Sequence, residues 1–194
     1  MTQKPQYDNL REACVQEAMA IIEKSGVEDL SLRAVSRNLG VSHQAPYKHF
    51  PSRDHILAEV VSRVFEDFAE SLDKAPRTDD PHADLEAMGR AYLNYAVRHP
   101  LQYRLMFGTP LPDPEEHPAM MKYAQHAFAL LRDCIARMAL DTIDELDALF
   151  VWSTIHGLAS ILQAQAVDKL ELTHREMDSA INHALSRIGM ALRS

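Results

Sequence analysis

Between Ser42 and His49 the chain sets recognition chemistry side by side: Ser42-His43-Gln44-Ala45-Pro46-Tyr47-Lys48-His49. Glutamine carries an acceptor and a donor spaced to meet adenine, and histidine can donate to guanine. Ala45 and Pro46 are compact apolar surfaces of the kind that meet a thymine methyl. Ser42, opening a short helix, can cap it and donate to a phosphate, where unpaired first-turn amides also favour an anion. Tyr47 reads as mixed, with its ring packed and its hydroxyl at a phosphate, while Phe50 reads as core. Metal ligation is a poor alternative. His43, His49 and His55 are spaced by six residues, which does not stack them on one helical face.

The flanking residues show what must position this set. Leu32, Val35 and Leu39 follow Ser31 at helical spacing, and the serine is placed to cap a helix start. Gly40 is the natural left-handed residue after that helix, with Val41 packing under the turn. A second short helix, His43 to His49, is then stopped by Phe50-Pro51. Two short helices across such a turn form a helix-turn-helix, whose second helix enters the major groove. Pro46 qualifies this, since proline fits only a first turn; the helix starts late or is partly 3₁₀.

Charge patterning agrees. The window from Ser31 to Arg53 holds four cations (Arg33, Arg37, Lys48, Arg53) and no acid. Residues 1–53 carry 7 Lys+Arg against 6 Asp+Glu, and residues 54–194 carry 13 against 22. The net charge of −8 is therefore polarised as +1 and −9, with its one acid-free cationic window at the helix-turn-helix. One basic face suffices for docking on phosphates.

The order Ser-Leu-Arg-x-Val-x-x-x-Leu-Gly-Val-Ser, then Tyr-x-His-Phe-x-Ser-Arg-Asp-x-Ile-Leu, resembles the amino-terminal domain of the tetracycline-repressor (TetR) family over roughly residues 10 to 65. Downstream, Trp152 to Leu158 (WSTIHGL), with Arg98 to Phe107 (RHPLQYRLMF), is similar to the subgroup named for a Trp-His-Gly motif. The resemblance implies a DNA-contacting set of Ser31, Arg33, Ser42, His43, Gln44, Ala45, Pro46, Tyr47, Lys48, His49 and Arg53. Within it, Tyr47, Lys48 and His49 resemble the phosphate-contacting cluster, and Arg53 the cation that starts the next helix. It further implies a palindromic double-stranded operator, a homodimer formed through the last two helices, and a small-molecule effector. No cofactor is implied.

With 194 residues and six glycines, the chain is long enough for an unstapled core and reads as all-α, with about nine helices. The expected organisation is a helix-turn-helix domain (1–53), a connecting helix (54–74) and a ligand-binding and dimerisation domain (83–194). The first helix runs from about Tyr7 to Lys24, burying Leu10, Cys14, Ala18, Ile21 and Ile22. The connecting helix carries Leu57, Val61, Val64, Phe65, Phe68 and Leu72 on one stripe, and the family resemblance makes its tilt set the separation of two reading heads. The segment APRTDDPH is the domain boundary. The next helix, Ala83 to His99, shows Leu85, Met88, Tyr92, Tyr95, Ala96 and His99 on one face. Leu101 to Phe107 is short, and the proline-bearing GTPLPDPEEHP is a surface loop. Helices from Ala119 to Met138, from Glu145 to Val167, and after a Thr173–Glu176 capping box complete the chain. The Glu145 helix is apolar on more than one face and must be covered on more than one face.

Aromatics and methionines with a few polar tips are what an apolar ligand cavity uses. The candidates are Tyr92, Tyr95, Tyr103, Met106, Phe107, Tyr123, Phe128, Trp152 and His156; the same residue types also build any helical core. Cys14 and Cys134 read as buried free thiols, which fits a reducing cytoplasm. The N-terminus lacks an apolar signal region and no run approaches the ~18 residues of a membrane span. A Gly-rich phosphate loop, a nucleophile elbow and metal-ligand spacing are all missing, which points away from an enzyme. With the family resemblance, the leading reading is a ligand-responsive transcriptional repressor. An enzyme with an unused helix-turn-helix and a helical protein-interaction module are the alternatives.

Overall fold

The structure, a computed structural model, describes residues 9–108, 110–138, 145–163 and 174–192, with 174–178 described by backbone alone. Among them are eight α-helices and no strand: α1 (Leu10–Ser25), α2 (Leu32–Asn38), α3 (Arg53–Asp73), α4 (Pro81–Arg98), α5 (Pro100–Phe107), α6 (Lys122–Ala136), α7 (Glu145–Gln163) and α8 (His174–Ala191). Three 3₁₀ turns lie at Val27–Asp29, Pro46–Lys48 and Pro118–Met121. The expected ninth helix, His43 to His49, is one of these turns. Proline at its first position removes a donor and leaves too few residues before Phe50-Pro51 for an α-helix. The described residues form two compact units, one within 1–65 and 105–122 and the other within 66–104 and 123–194.

In the first unit, α1 starts where the Asn9 side chain accepts from the Glu12 amide at 3.1 Å and ends at Gly26, φ 92°. The expected start at Tyr7 lies outside the described residues. Cys14, Val15, Ala18, Ile21 and Ile22 are its buried stripe. Helix α2 is bracketed as its sequence demands. Ser31 Oγ accepts from the Ala34 amide at 3.1 Å, and Gly40 is left-handed at φ 65°. The Val41 amide donates to Ser36 and the Gly40 amide to Arg37, at 3.1 and 3.2 Å. That double closure satisfies two end carbonyls of α2.

Ion pairs tie α1 to α3. Arg63 donates through both terminal nitrogens to Glu12, each at 2.7 Å, and Arg11 grips Glu59 at 2.6 and 3.1 Å. The Arg63 guanidinium, aided by Gln16, holds the Glu12 carboxyl down to about 2. In this unit Leu32, Val35, Phe50, Ile56, Val60, Val64 and Met120 are buried. Pro118 opens a 3₁₀ turn, so α6 begins at Lys122 rather than at Ala119.

In the second unit, α4 begins two residues ahead of the expected Ala83. Asp80 caps it through the His82 and Ala83 amides, at 2.9 and 3.2 Å, and Pro81 occupies the first turn. Asp84, in the first turn of this helix, is buried. Its carboxylate accepts from the Thr78 amide and hydroxyl, both at 2.8 Å, and from Arg137 Nη1 at 2.8 Å. Burial opposes that charge, but Arg137 and Thr78 more than offset it and hold the pKa below its ordinary value. Arg137 also donates to the Thr78 carbonyl, so the loop before α4 is clamped to the end of α6.

Helix α4 packs against α7 and α8. Its Leu85, Tyr92, Leu93, Tyr95 and Ala96 are buried, while His99, expected on the same face, is exposed. Gly89 permits the approach: a Cβ at this position would lie 2.5 Å from Leu185 Cδ2. On α7 only Ala148, Val151, Ile155 and Ala159 are buried, one stripe at helical spacing. Leu146, Leu149, Phe150 and Ile161 stay 65, 48, 44 and 49% exposed. The expected end of α7 at Val167 and the Thr173–Glu176 capping box lie outside the described residues. Both cysteines are buried and unpaired, and burial pushes the Cys134 thiol up to about 11.

Candidate nucleic-acid interface and buried polar cluster

The acid-free segment of the first unit folds into an exposed face. Arg33, Ser42, His43, Gln44, Tyr47, Lys48 and His49 are all exposed, with Ser31 and Ala45 half-buried beside them. The turn at 42–49 is closed by short hydrogen bonds, Ala45 amide to Ser42 carbonyl at 2.9 Å and His49 amide to Pro46 carbonyl at 3.0 Å. Ser42 contributes its carbonyl here, and the 3₁₀ turn, which starts after Ala45, has no side-chain cap. Exposed donors and cations on a rigid turn are what backbone-positioning and base-reading contacts require.

Two residues of the implied contact set are used differently. Pro46 is buried, because its ring is the apolar floor of the turn, so it is not a surface for a thymine methyl. Arg53 donates from Nε to the Leu30 carbonyl at 3.0 Å and from Nη2 to the Val27 carbonyl at 2.7 Å. It thereby fixes the start of α3 against the segment that leads into α2. Its distant partners, 23 and 26 residues back, are invisible to local sequence patterns.

On the face itself, Arg33 Nε donates to His43 Nε2 at 3.0 Å, and the His43 ring stacks on Tyr47 with centroids 5.6 Å apart. Spacing alone gave no sign of this coupling between the two helix-turn-helix elements. Behind it, Asn38 Nδ2 donates to Glu17 at 2.7 Å and joins α2 to α1.

The second unit holds a different arrangement. The hydroxyls of Tyr92 and Tyr103 lie 3.1 Å apart, and His156 Nδ1 is 3.1 Å from the first and 2.7 Å from the second. Burial pushes both phenols up and pushes His156 down, so all three groups are neutral at pH 7. Aromatic rings enclose them: Phe68 meets Tyr92 and Tyr95 edge-on, each at 5.1 Å, and Trp152 meets Phe128 at 5.9 Å. Such a cluster can exchange hydrogen bonds with a neutral polar group but offers no fixed charge.

Tyr123 donates to Glu66 at 2.5 Å, and that bond raises its pKa. Met106 and Phe107 belong to the first unit, where Phe107 meets Phe65 edge-on at 6.0 Å. Among the described residues no group of three or more His, Cys, Asp or Glu is arranged to hold a metal, and no helix is long and apolar enough to cross a membrane.

Comparison with known proteins bears on both units. Residues 15–60 match the family model described as bacterial regulatory proteins, tetR family. Residues 85–187 match the Tetracyclin repressor-like, C-terminal domain. The chain is 37% identical over 92 residues to the HTH-type transcriptional regulator Mb1846 of Mycobacterium bovis; the match covers 45% of this chain and only 38% of that protein's length. It is 26% identical over 164 residues to the uncharacterized HTH-type transcriptional regulator Rv0681 of Mycobacterium tuberculosis, covering 83% of this chain and 73% of that one. A solved structure from Rhodococcus sp. RHA1, a protein of unknown function, has the same fold with TM-score 0.79 and 24% identity, covering 100% of both chains. Because the C-terminal match alone takes in more than half of its length, the chain belongs to the tetracycline-repressor (TetR) family.

Proposed function

We propose that this protein is a ligand-responsive transcriptional repressor that binds a palindromic operator as a homodimer in the cytoplasm. The observation that carries the reading is the exposed, acid-free cationic face of the first unit, with His43, Gln44, Tyr47 and Lys48 side by side on one turn. His43 and Gln44 are the base-reading residues, and Lys48, Tyr47 and His49 dock on phosphates. Ser31 and Arg53 hold the reading element in place. A two-fold site on DNA calls for a two-fold protein. Uncovered Leu146, Leu149, Phe150 and Ile161 on α7 support pairing through the last two helices.

The effector binds in the second unit around Tyr92, Tyr103 and His156, with Tyr95, Phe128 and Trp152 as aromatic walls. The three neutral hydrogen-bonding groups favour an apolar molecule with an uncharged polar end. It releases DNA only if it binds better to the conformation whose reading turns no longer fit two half-sites. A difference of ~2–3 kcal/mol would weaken DNA binding roughly 30- to 150-fold. Placement in the Trp-His-Gly subgroup is our reading of Trp152, His156 and Gly157.

The test is selection of bound duplexes from a random library by the full chain at near-physiological salt. A recovered palindrome supports the reading and supplies the probe for effector screening. Binding without sequence enrichment would overturn it in favour of a helical interaction module.

A further inference from the structure

Arg33 and His43 are ten residues apart, on α2 and on the turn after it, and both are exposed. A guanidinium only donates, so His43 Nε2, 3.0 Å from Arg33 Nε, is the acceptor of that bond. A neutral imidazole carries one proton, which therefore sits on Nδ1. The ring plane is also fixed, because it stacks on Tyr47 at an interplanar angle of 28°. Neither side chain serves the buried core, so the bond is not explained by packing.

We propose that Arg33 and His43 read the duplex as a coupled pair, in which Arg33 holds His43 as a pure hydrogen-bond donor and thereby makes it select guanine. The proposal rests on the DNA-binding reading of this face. With Nε2 occupied, the only polar group left on the ring is Nδ1–H. In the major groove guanine offers two adjacent acceptors, N7 and O6, whereas cytosine offers only the donor N4–H₂. Adenine pairs its N7 acceptor with a donor amino group that finds no acceptor on this ring, and thymine offers the single acceptor O4, so guanine with two adjacent acceptors is the best match. Arg33 meanwhile keeps its two terminal nitrogens for a backbone phosphate. It is a positioning residue for His43 as well as a contact of its own.

Two measurements on the full chain test this. In a long-range ¹H–¹⁵N spectrum of histidine-labelled protein, with His43 assigned by its loss in His43→Gln, the wild type shows the proton on Nδ1. Arg33→Met, which keeps the stem but removes the donor, returns His43 to the commoner Nε2–H form. In duplex selection the wild type enriches one guanine per half-site at the position His43 meets and excludes cytosine there. Arg33→Met admits other bases at that position alone. A wild-type proton on Nε2, or an Arg33→Met site with unchanged base preferences and uniformly weaker binding, overturns the coupling and leaves Arg33 as a phosphate contact. Failure of the wild type to enrich any site instead overturns the DNA reading and this proposal with it.

Discussion

Tyr103 Oη lies 2.7 Å from His156 Nδ1, and both groups are held neutral by burial among aromatic rings. The contact joins α5 to the middle of α7 inside the second unit. It makes His156 the link between the proposed effector site and the packing of the unit.

A pH dependence follows. Burial lowers the pKa of His156 below its ordinary 6.5, so as pH falls through 6.5 the unfolded chain takes up a proton that the folded one refuses. Folding stability therefore rises with pH across this window and is lost on the acid side. The urea midpoint of the wild type should fall between about pH 7.5 and 5.5 more steeply than that of His156→Gln, which keeps polarity but does not titrate there. Parallel pH curves would show that His156 is protonated as readily in the folded state as in the unfolded one.

The brackets of α2 carry measurable stability. Ser31→Ala removes the bond to the Ala34 amide and should cost about 1 kcal/mol. Gly40→Ala forces a side chain into the left-handed region at φ 65° and should cost roughly 1–2 kcal/mol. Urea unfolding reads both. A loss near zero for Gly40→Ala would mean that the turn relaxes out of its left-handed form.

How much of this was legible in sequence depends on the range of each interaction. Ser31 and Gly40 act on amides within five residues, so residue type alone located both ends of α2. Pro46 likewise signalled that the element at 43–49 starts late or is partly 3₁₀, although not that it is a 3₁₀ turn alone. By contrast, Asp84 is buried because Arg137 arrives from 53 residues away, and Arg53 is engaged because Val27 and Leu30 turn their carbonyls toward it. No periodicity reports such pairings. The ligand candidates show the same division: aromatic type picked out Tyr92, Tyr103 and His156, but only the fold brings them to one point.

Gly89 marks the close approach of α4 and α8. In Gly89→Ala the new methyl would meet Leu185 at 2.5 Å, and overpacking of this kind costs ~1–3 kcal/mol. The helix preference for alanine returns up to ~1 kcal/mol of that. Net destabilisation in urea, partly relieved by Leu185→Val, is the expected result. A stabilised Gly89→Ala would mean that α8 yields freely.

If the last two helices form the proposed dimer, the uncovered stripe of α7 should set the assembly state. Sedimentation at micromolar concentration should find a dimer for the wild type and a monomer for the double change Leu149→Glu, Phe150→Glu. Both side chains are exposed in the single chain, so the variant should fold. A monomeric wild type, or a dimeric variant, would remove α7 from the interface.

The central claim is that the turn at 42–49 binds DNA, and a double change on it tests that most directly. Tyr47 and Lys48 are exposed, so replacing both with alanine should leave folding and assembly intact. Measured by fluorescence anisotropy on the selected duplex, Tyr47→Ala, Lys48→Ala should bind about 100-fold more weakly, a loss of ~2.7 kcal/mol. Its log-affinity should also fall less steeply with log salt, by roughly one unit per phosphate contact removed. Undiminished affinity and an unchanged salt slope would contradict the assignment of this face.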